Sequence, residues 1–159
     1  LSQTQALESL HRRFHRGRYI SKAGYESCYN MMVGAIPTGI PSDLRSALKS
    51  RIHYGNEFSL RKRLTLMGRQ LNKRSRDLIS DDFKGFVASV VDTRNHLTHY
   101  DPNPDPNAKI LSTKEMIIPT ISLRLLLTIY LFKRIGMPES SVAKVIAEHP
   151  RFRKPQLMS

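Results

Sequence analysis

A chain of 159 residues with 40% apolar content is long enough for one compact domain with its own core, and its single cysteine, Cys28, excludes an internal disulfide framework. The net charge is +13 and unevenly placed: residues 1–76 hold 15 Lys/Arg against 4 Asp/Glu, whereas residues 77–159 hold 11 against 9. Such a field draws a polyanion through counterion release, so RNA or DNA leads the partner classes; a plain solvated basic surface is the alternative, and charge alone gives no sequence specificity.

The chain opens on Leu rather than Met, and "LSQTQALESLHRRF" already runs at helical spacing through Ala6, Leu7, Leu10 and Phe14. A single domain over residues 1–159, the C-terminal part of a longer protein, is expected. No signal segment opens it, so a reducing compartment, the cytoplasm, fits best. His11 and His15 have the i, i+4 spacing of a metal pair, but no third ligand is near and Arg12, Arg13 and Arg16 surround them. That stretch reads as surface facing a substrate.

"SKAGYESCYNMMVGAI" places Tyr25, Cys28, Tyr29, Met32, Val33 and Ile36 on one helix face, read as core, with Ser21 as N-cap. After the loop "PTGIP", "SDLRSALKSRI" carries Leu44, Ala47, Leu48 and Ile52 behind a Ser42 cap. In "NEFSLRKRLTLMGRQLNK" one long helix is expected, with Leu60, Leu64, Met67 and Leu71 on one side, Arg63 near the core edge, and Glu57 paired to Arg61. Arg61, Lys62, Arg69 and Lys73 form the densest basic surface, and with Arg12 and Arg13 they are the expected RNA contacts.

"SDDFKGFVASVVDTRNHLTHY" predicts another long helix, capped at Ser80 with Asp81 and Asp82 in its first turn, and stopped near His99 or Tyr100 by "DPNPDP". Ser112 and Glu115 offer a capping box to the apolar helix that follows, with a kink at Pro119. That helix, "IIPTISLRLLLTIYLF", is too short to span a membrane and carries Pro119 and Arg124. A short helix, "PESSVAKVIAEH", and a basic tail finish an all-α chain of six or seven helices.

The chemistry gathers in "VVDTRNHLTHYDPNPDP" (90–106). Arg94 falls in the apolar row of Val90 and Leu97, where a charge demands a partner, while Asp92, Asn95 and His99 form a polar row beside it. Five residues set Arg94 and His99 about 140° apart on an ideal helix. They reach one phosphate only if the helix end loosens or a second copy supplies the complementary group. A His, an Arg and an Asn without a carboxylate cluster suit metal-independent RNA cleavage, with the His as proton-transfer group and the Arg on the charge of the transition state. No cofactor is expected. The plain alternative is a helix-end His capping carbonyls and a buried Arg paired to Glu8 or Glu57. His96 reads as an exposed partner of Asp92.

The run "RNHLTH", an R-N-x-x-x-H pattern at the end of an amphipathic helix, resembles the HEPN ribonuclease superfamily. With "IP…LRSALKSRIHYGNEFSLRKRL" before it and "TRNHLTHYD" at its centre, most of the chain is similar to the HEPN domains of ApeA-type anti-phage proteins. The resemblance implies a helical bundle that dimerises through the helix carrying Arg94, so that two motifs share one cleft and cut RNA without metal to a 2′,3′-cyclic phosphate end. It implies catalytic roles for Arg94, His99 and Asn95, a place in phage defence or as a toxin, and control by an N-terminal sensing domain. Some HEPN toxins carry a modifiable Tyr two residues after the His; here Tyr100 follows His99 directly and Asp101 takes that place. A basic helical module that binds nucleic acid or a protein without cutting is the competing reading.

Overall fold

In the computed structural model, residues 2–15, 17–99 and 102–150 are described; Tyr100, Asp101 and the basic tail lie outside them. Among the described residues the helical periodicity becomes eight α-helices and no β-strand. They are α1 (Ser2–Phe14), α2 (Lys22–Gly34), α3 (Ser42–His53), α4 (Leu60–Arg69), α5 (Lys73–Ile79), α6 (Phe83–His99), α7 (Ile117–Arg134) and α8 (Glu139–Glu148). The chain divides into two compact units, His15–Ser59 and the pair of segments Leu1–Phe14 and Leu60–Ser159.

In the larger unit, α7 is the central element. Its apolar residues Leu123, Leu125, Leu126 and Ile129 are buried together with Leu7 of α1, Leu64 and Met67 of α4, Val87 and Val90 of α6, and Val142 of α8. Each such side chain stabilises the fold by about 1.5–3 kcal/mol relative to exposure, so this burial fixes where α6 lies. Gly68 sets the contact of α4 with α6: a Cβ there would collide with the Phe83 ring. At the contact of α5 with α7 the buried hydroxyl of Ser122 is paired, donating to the Ile79 carbonyl at 2.6 Å. Gly136, at φ 87°, closes α7 with Met137 N donating to Phe132 O, the left-handed C-terminal turn that glycine accepts without strain.

Several local expectations change. The long helix expected over "NEFSLRKRLTLMGRQLNK" starts only at Leu60 and breaks after Arg69; Asn72 then caps a separate α5 by accepting from Ser75 N at 2.9 Å. Ser80 ends α5, and the cap of α6 is Asp82, whose Oδ1 accepts from Gly85 N at 2.8 Å. Ser112 and Glu115 form the bonds of a capping box, Ser112 N donating to Glu115 Oε2 at 2.8 Å, but these close a turn ahead of α7, which starts at Ile117 with Met116 in the cap position and no side-chain cap. Pro119 lies in the first turn of α7, where its missing N–H costs no intrahelical bond and no kink is required. His11, expected at the surface, is buried, and so is Arg63: Arg63 Nη1 lies 3.1 Å from His11 Nδ1.

Glu139, first in α8, ties three helices: it accepts from Asn72 N at 2.8 Å and from Lys133 Nζ at 2.7 Å. Burial pushes its carboxyl up, but the hydrogen bonds from Lys133 and the Asn72 N–H outweigh that, and it lies below the ordinary glutamate value. A depressed carboxyl contributes stability above its unfolded pKa, about 4.3, and that stability is lost as pH falls through the folded value. Glu139→Gln is therefore expected to lower the melting temperature at pH 7 and to narrow the gap to wild type as pH drops below about 4.3. Thermal melts from pH 7 to pH 3 measure this; parallel curves would refute it.

In the His15–Ser59 unit, α2 and α3 pack as a hairpin whose ends are tied together. Arg18 and Glu57 form an isolated antiparallel bridge, Phe58 N donates to Gly17 O at 2.8 Å, and Gly17 supplies the positive φ of 59° that the turn requires. The buried Asn56 side chain accepts from Ile20 N and donates to Ile20 O, both at 3.0 Å. Ser21 caps α2 as expected, accepting from Gly24 N, whereas Ser42 is the first residue of α3 and Pro41 holds the cap position. The Met and Tyr stripe of α2 is not a closed core: Ile36 is buried, Tyr25, Tyr29 and Val33 are half-buried, and Cys28 and Met32 are exposed. Nor does α3 bury any residue fully.

Candidate active site

The Asp82 cap and the buried face of Phe86, Val87, Val90 and Val91 hold α6 in place, and it stays α-helical through His99 before Pro102 and Pro104 end it. The chain then returns along α6. Asp92 Oδ2 accepts from Lys109 N at 3.1 Å, and the Thr93 hydroxyl accepts from Leu111 N at 2.9 Å. Asp105 shapes the loop between by accepting from Asn107 N at 2.8 Å. This return makes the proline loop a wall: Asp92, Asn95, His96 and His99 on one side and Pro104, Asp105 and Ile110 on the other enclose a hollow of about 260 Å³.

Arg94 opens elsewhere. It lines a smaller hollow, about 130 Å³, with Thr93, Leu97, Leu111, Met116 and Pro119. Its row leaves the core along the helix: Val90 is buried, Arg94 half-buried and Leu97 52% exposed. Leu97, expected on the buried face, is thus an uncovered end of that row. Asn95 links the two sides, since its Oδ1 accepts from Arg94 Nη1 at 3.2 Å while the residue lines the His99 hollow. Asp92, expected beside His96, is engaged by Arg61 at 2.6 Å and by Lys109. Among the described residues no group of three or more His, Cys, Asp or Glu is arranged to hold a metal ion.

The expected RNA contacts separate into groups. Arg61 and Arg69 line a groove of about 550 Å³ on the α4 and α6 side, where Arg76 and Lys84 join them against Asp81. Lys73 pairs with Asp77 at 2.6 Å and Arg12 with Glu8 at 2.9 Å; Lys62 is half-buried, and Arg13 is exposed at the end of α1. Through the Arg61–Asp92 pair the basic groove adjoins the His99 hollow. Arg76 escaped the sequence reading because the seven-residue α5 did, and Lys84 because only its charge marks it.

The fold and the helix end together define a class: an all-α protein whose helix α6 ends on an Arg-Asn-x-x-x-His run. The family model for Apea-like HEPN matches residues 1–141, and the chain belongs to that family. HEPN domains are generally of ribonuclease type. No curated protein and no solved structure matches the chain. No helix among the described residues is long and apolar enough to cross a membrane.

Proposed function

We propose that the chain is a metal-independent endoribonuclease whose active site forms between two copies, α6 facing α6. The observation that supports this reading is the regularity of α6 through His99. Arg94 and His99 sit about 140° apart and about 7.5 Å along the axis and line different hollows, an arrangement that favours a site completed by the complementary groups of a second copy. The exposed Leu97 and Ile117 and the half-buried Met116 give it an apolar rim to cover around Arg94.

In this mechanism RNA follows the groove of Arg61, Arg69, Arg76 and Lys84 to the His99 hollow. The ribose 2′-oxygen attacks phosphorus while the P–O5′ bond breaks, leaving a 2′,3′-cyclic phosphate and a 5′-hydroxyl. The His99 of one copy takes the 2′ proton, the Arg94 beside it comes from the other copy, and the leaving 5′-oxygen takes its proton from water. Arg94 stabilises the charge that builds on the phosphorane-like transition state, and Asn95, bonded to Arg94, orients it or binds a phosphate oxygen. Its role on this reading is in cellular defence or as a toxin, with cytoplasmic RNA as its target, and membership of the Apea-like HEPN family supports the defence part.

A structured RNA incubated with the protein in EDTA is expected to be cut to fragments with 2′,3′-cyclic phosphate ends, more slowly as salt rises because the groove binds through counterion release. End-group mapping of the fragments checks the chemistry. RNA that is bound in a salt-sensitive way yet stays whole, at concentrations where the protein is dimeric, would leave a binding module in place of an enzyme.

A further inference from the structure

We propose that the His15–Ser59 unit carries its own nucleotide-binding hollow, built to stack an unpaired RNA base and hold the phosphate attached to it. The hollow has a volume of about 340 Å³ and is walled by Tyr25, Tyr29, His53 and Tyr54, with Arg18 and Lys22 also lining it. That volume is within the range of small-ligand sites. It gathers three of the chain's six tyrosines in a unit whose two helices bury no residue fully. Aromatic rings collected for packing would be covered, yet Tyr54 is 61% exposed and Tyr29 only half-buried.

The rings are fixed without being stacked on one another. His53 meets Tyr29 edge to face at 6.0 Å and Tyr54 at 5.0 Å. The Tyr25 hydroxyl donates to the Ile52 carbonyl, and Gly55 leaves the room for it: a Cβ at that position would stand 2.6 Å from the Tyr25 oxygen and 3.1 Å from Ile52 O. Asn56 clamps the neighbouring backbone at Ile20. Rings held in this way lose little freedom when a base slides against them.

The charges choose the ligand. The groove of Arg61, Arg69, Arg76 and Lys84 sets four cations against one carboxylate and suits a phosphate backbone. In the tyrosine hollow, by contrast, the carboxylates Glu26 and Glu57 stand with Arg18 and Lys22. Carboxylates repel phosphate but accept hydrogen bonds from the N–H edge of a base, so both signs beside aromatic walls fit a whole nucleotide rather than a bare anion. Such recognition needs an unpaired base, because duplex RNA hides its ring faces. The inference stands whether or not Arg94 and His99 cut RNA.

The test uses the full chain carrying His99→Ala, so that RNA stays intact, and measures anisotropy of a fluorescent unstructured single strand and of a duplex of equal length. Tyr54→Ala, at an exposed position, is expected to weaken single-strand binding about 5- to 100-fold, the scale of one stacked base, with duplex binding unchanged and Tyr54→Phe close to the parent. Gly55→Ala, which removes no ring, is expected to weaken the single strand by displacing Tyr25. Competition by millimolar AMP or GMP would assign the hollow to free nucleotides; single-strand loss without such competition would assign it to a base within a strand. Single-strand affinity unchanged in both Tyr54→Ala and Tyr29→Ala, or equal loss on strand and duplex, overturns the proposal. An unchanged affinity together with binding of a peptide probe at the same residues would make the hollow a protein site.

Discussion

An equimolar mixture of Arg94→Ala and His99→Ala chains is expected to cut RNA in EDTA, although each variant alone is expected to be about 10² to 10⁴ slower than wild type. Each substitution removes one chemical role and leaves the other intact. If one site takes its arginine from one copy and its histidine from the other, a mixed dimer holds one complete site. A site contained within a single chain gains nothing from mixing. The comparison is free of folding artefacts because His99 is exposed and Arg94 half-buried at the end of α6, beyond the core residues Val87, Val90 and Val91. Circular dichroism melts of the two variants should overlay wild type. Native mass spectrometry would establish that the mixture has exchanged subunits. A mixture that has exchanged and remains as slow as its components would remove the composite site, and a single variant as fast as wild type would remove that residue from the chemistry.

How much of this was legible depends on the range of the interactions involved. The apolar spacing along α6 and α7 and the prolines after His99 are local signals and appear where expected, whereas the Ser112–Glu115 bonds form in a turn ahead of α7, which starts at Ile117. The seven-residue α5 is too short to show a period, and only Asn72 marks its start. The α2 stripe illustrates another limit: periodicity tells which side of a helix is apolar, not whether anything covers it, and Met32 and Cys28 are exposed. At the candidate site, Arg94, Asn95 and His99 stood out because they are neighbours in a motif. The wall opposite them did not, since the Asp92 and Thr93 bonds to Lys109 and Leu111 join residues 17 and 18 positions apart. Charge counting also misleads where a cation turns inward. Arg94 was the arginine expected to need a buried partner, but the fully buried one is Arg63.

Arg63→Ala is expected to destabilise the protein by about 2–5 kcal/mol, the scale seen when a large buried side chain is truncated. Arg63 is 1% exposed on α4, and so is His11 on α1. A guanidinium has only donors, so the 3.1 Å contact requires His11 Nδ1 to accept and places its proton on Nε2. The spacing already held the clue: His11 is four residues from Leu7 on α1, and Arg63 precedes Leu64 and is four from Met67 on α4, all buried. Alanine would remove the stem that fills the α1–α4 contact together with the donor to His11. Arg63→Met keeps most of the volume and removes the guanidinium donors, the bond to His11 among them, so its cost is expected to be smaller, about 1–3 kcal/mol for a buried acceptor left behind. Adding His11→Leu to Arg63→Met removes that acceptor and is expected to recover part of the loss, because two apolar groups of similar volume pack where a polar pair stood. Urea unfolding of the four proteins closes the cycle. Additive losses from Arg63→Met and His11→Leu would show that the two side chains do not support one another.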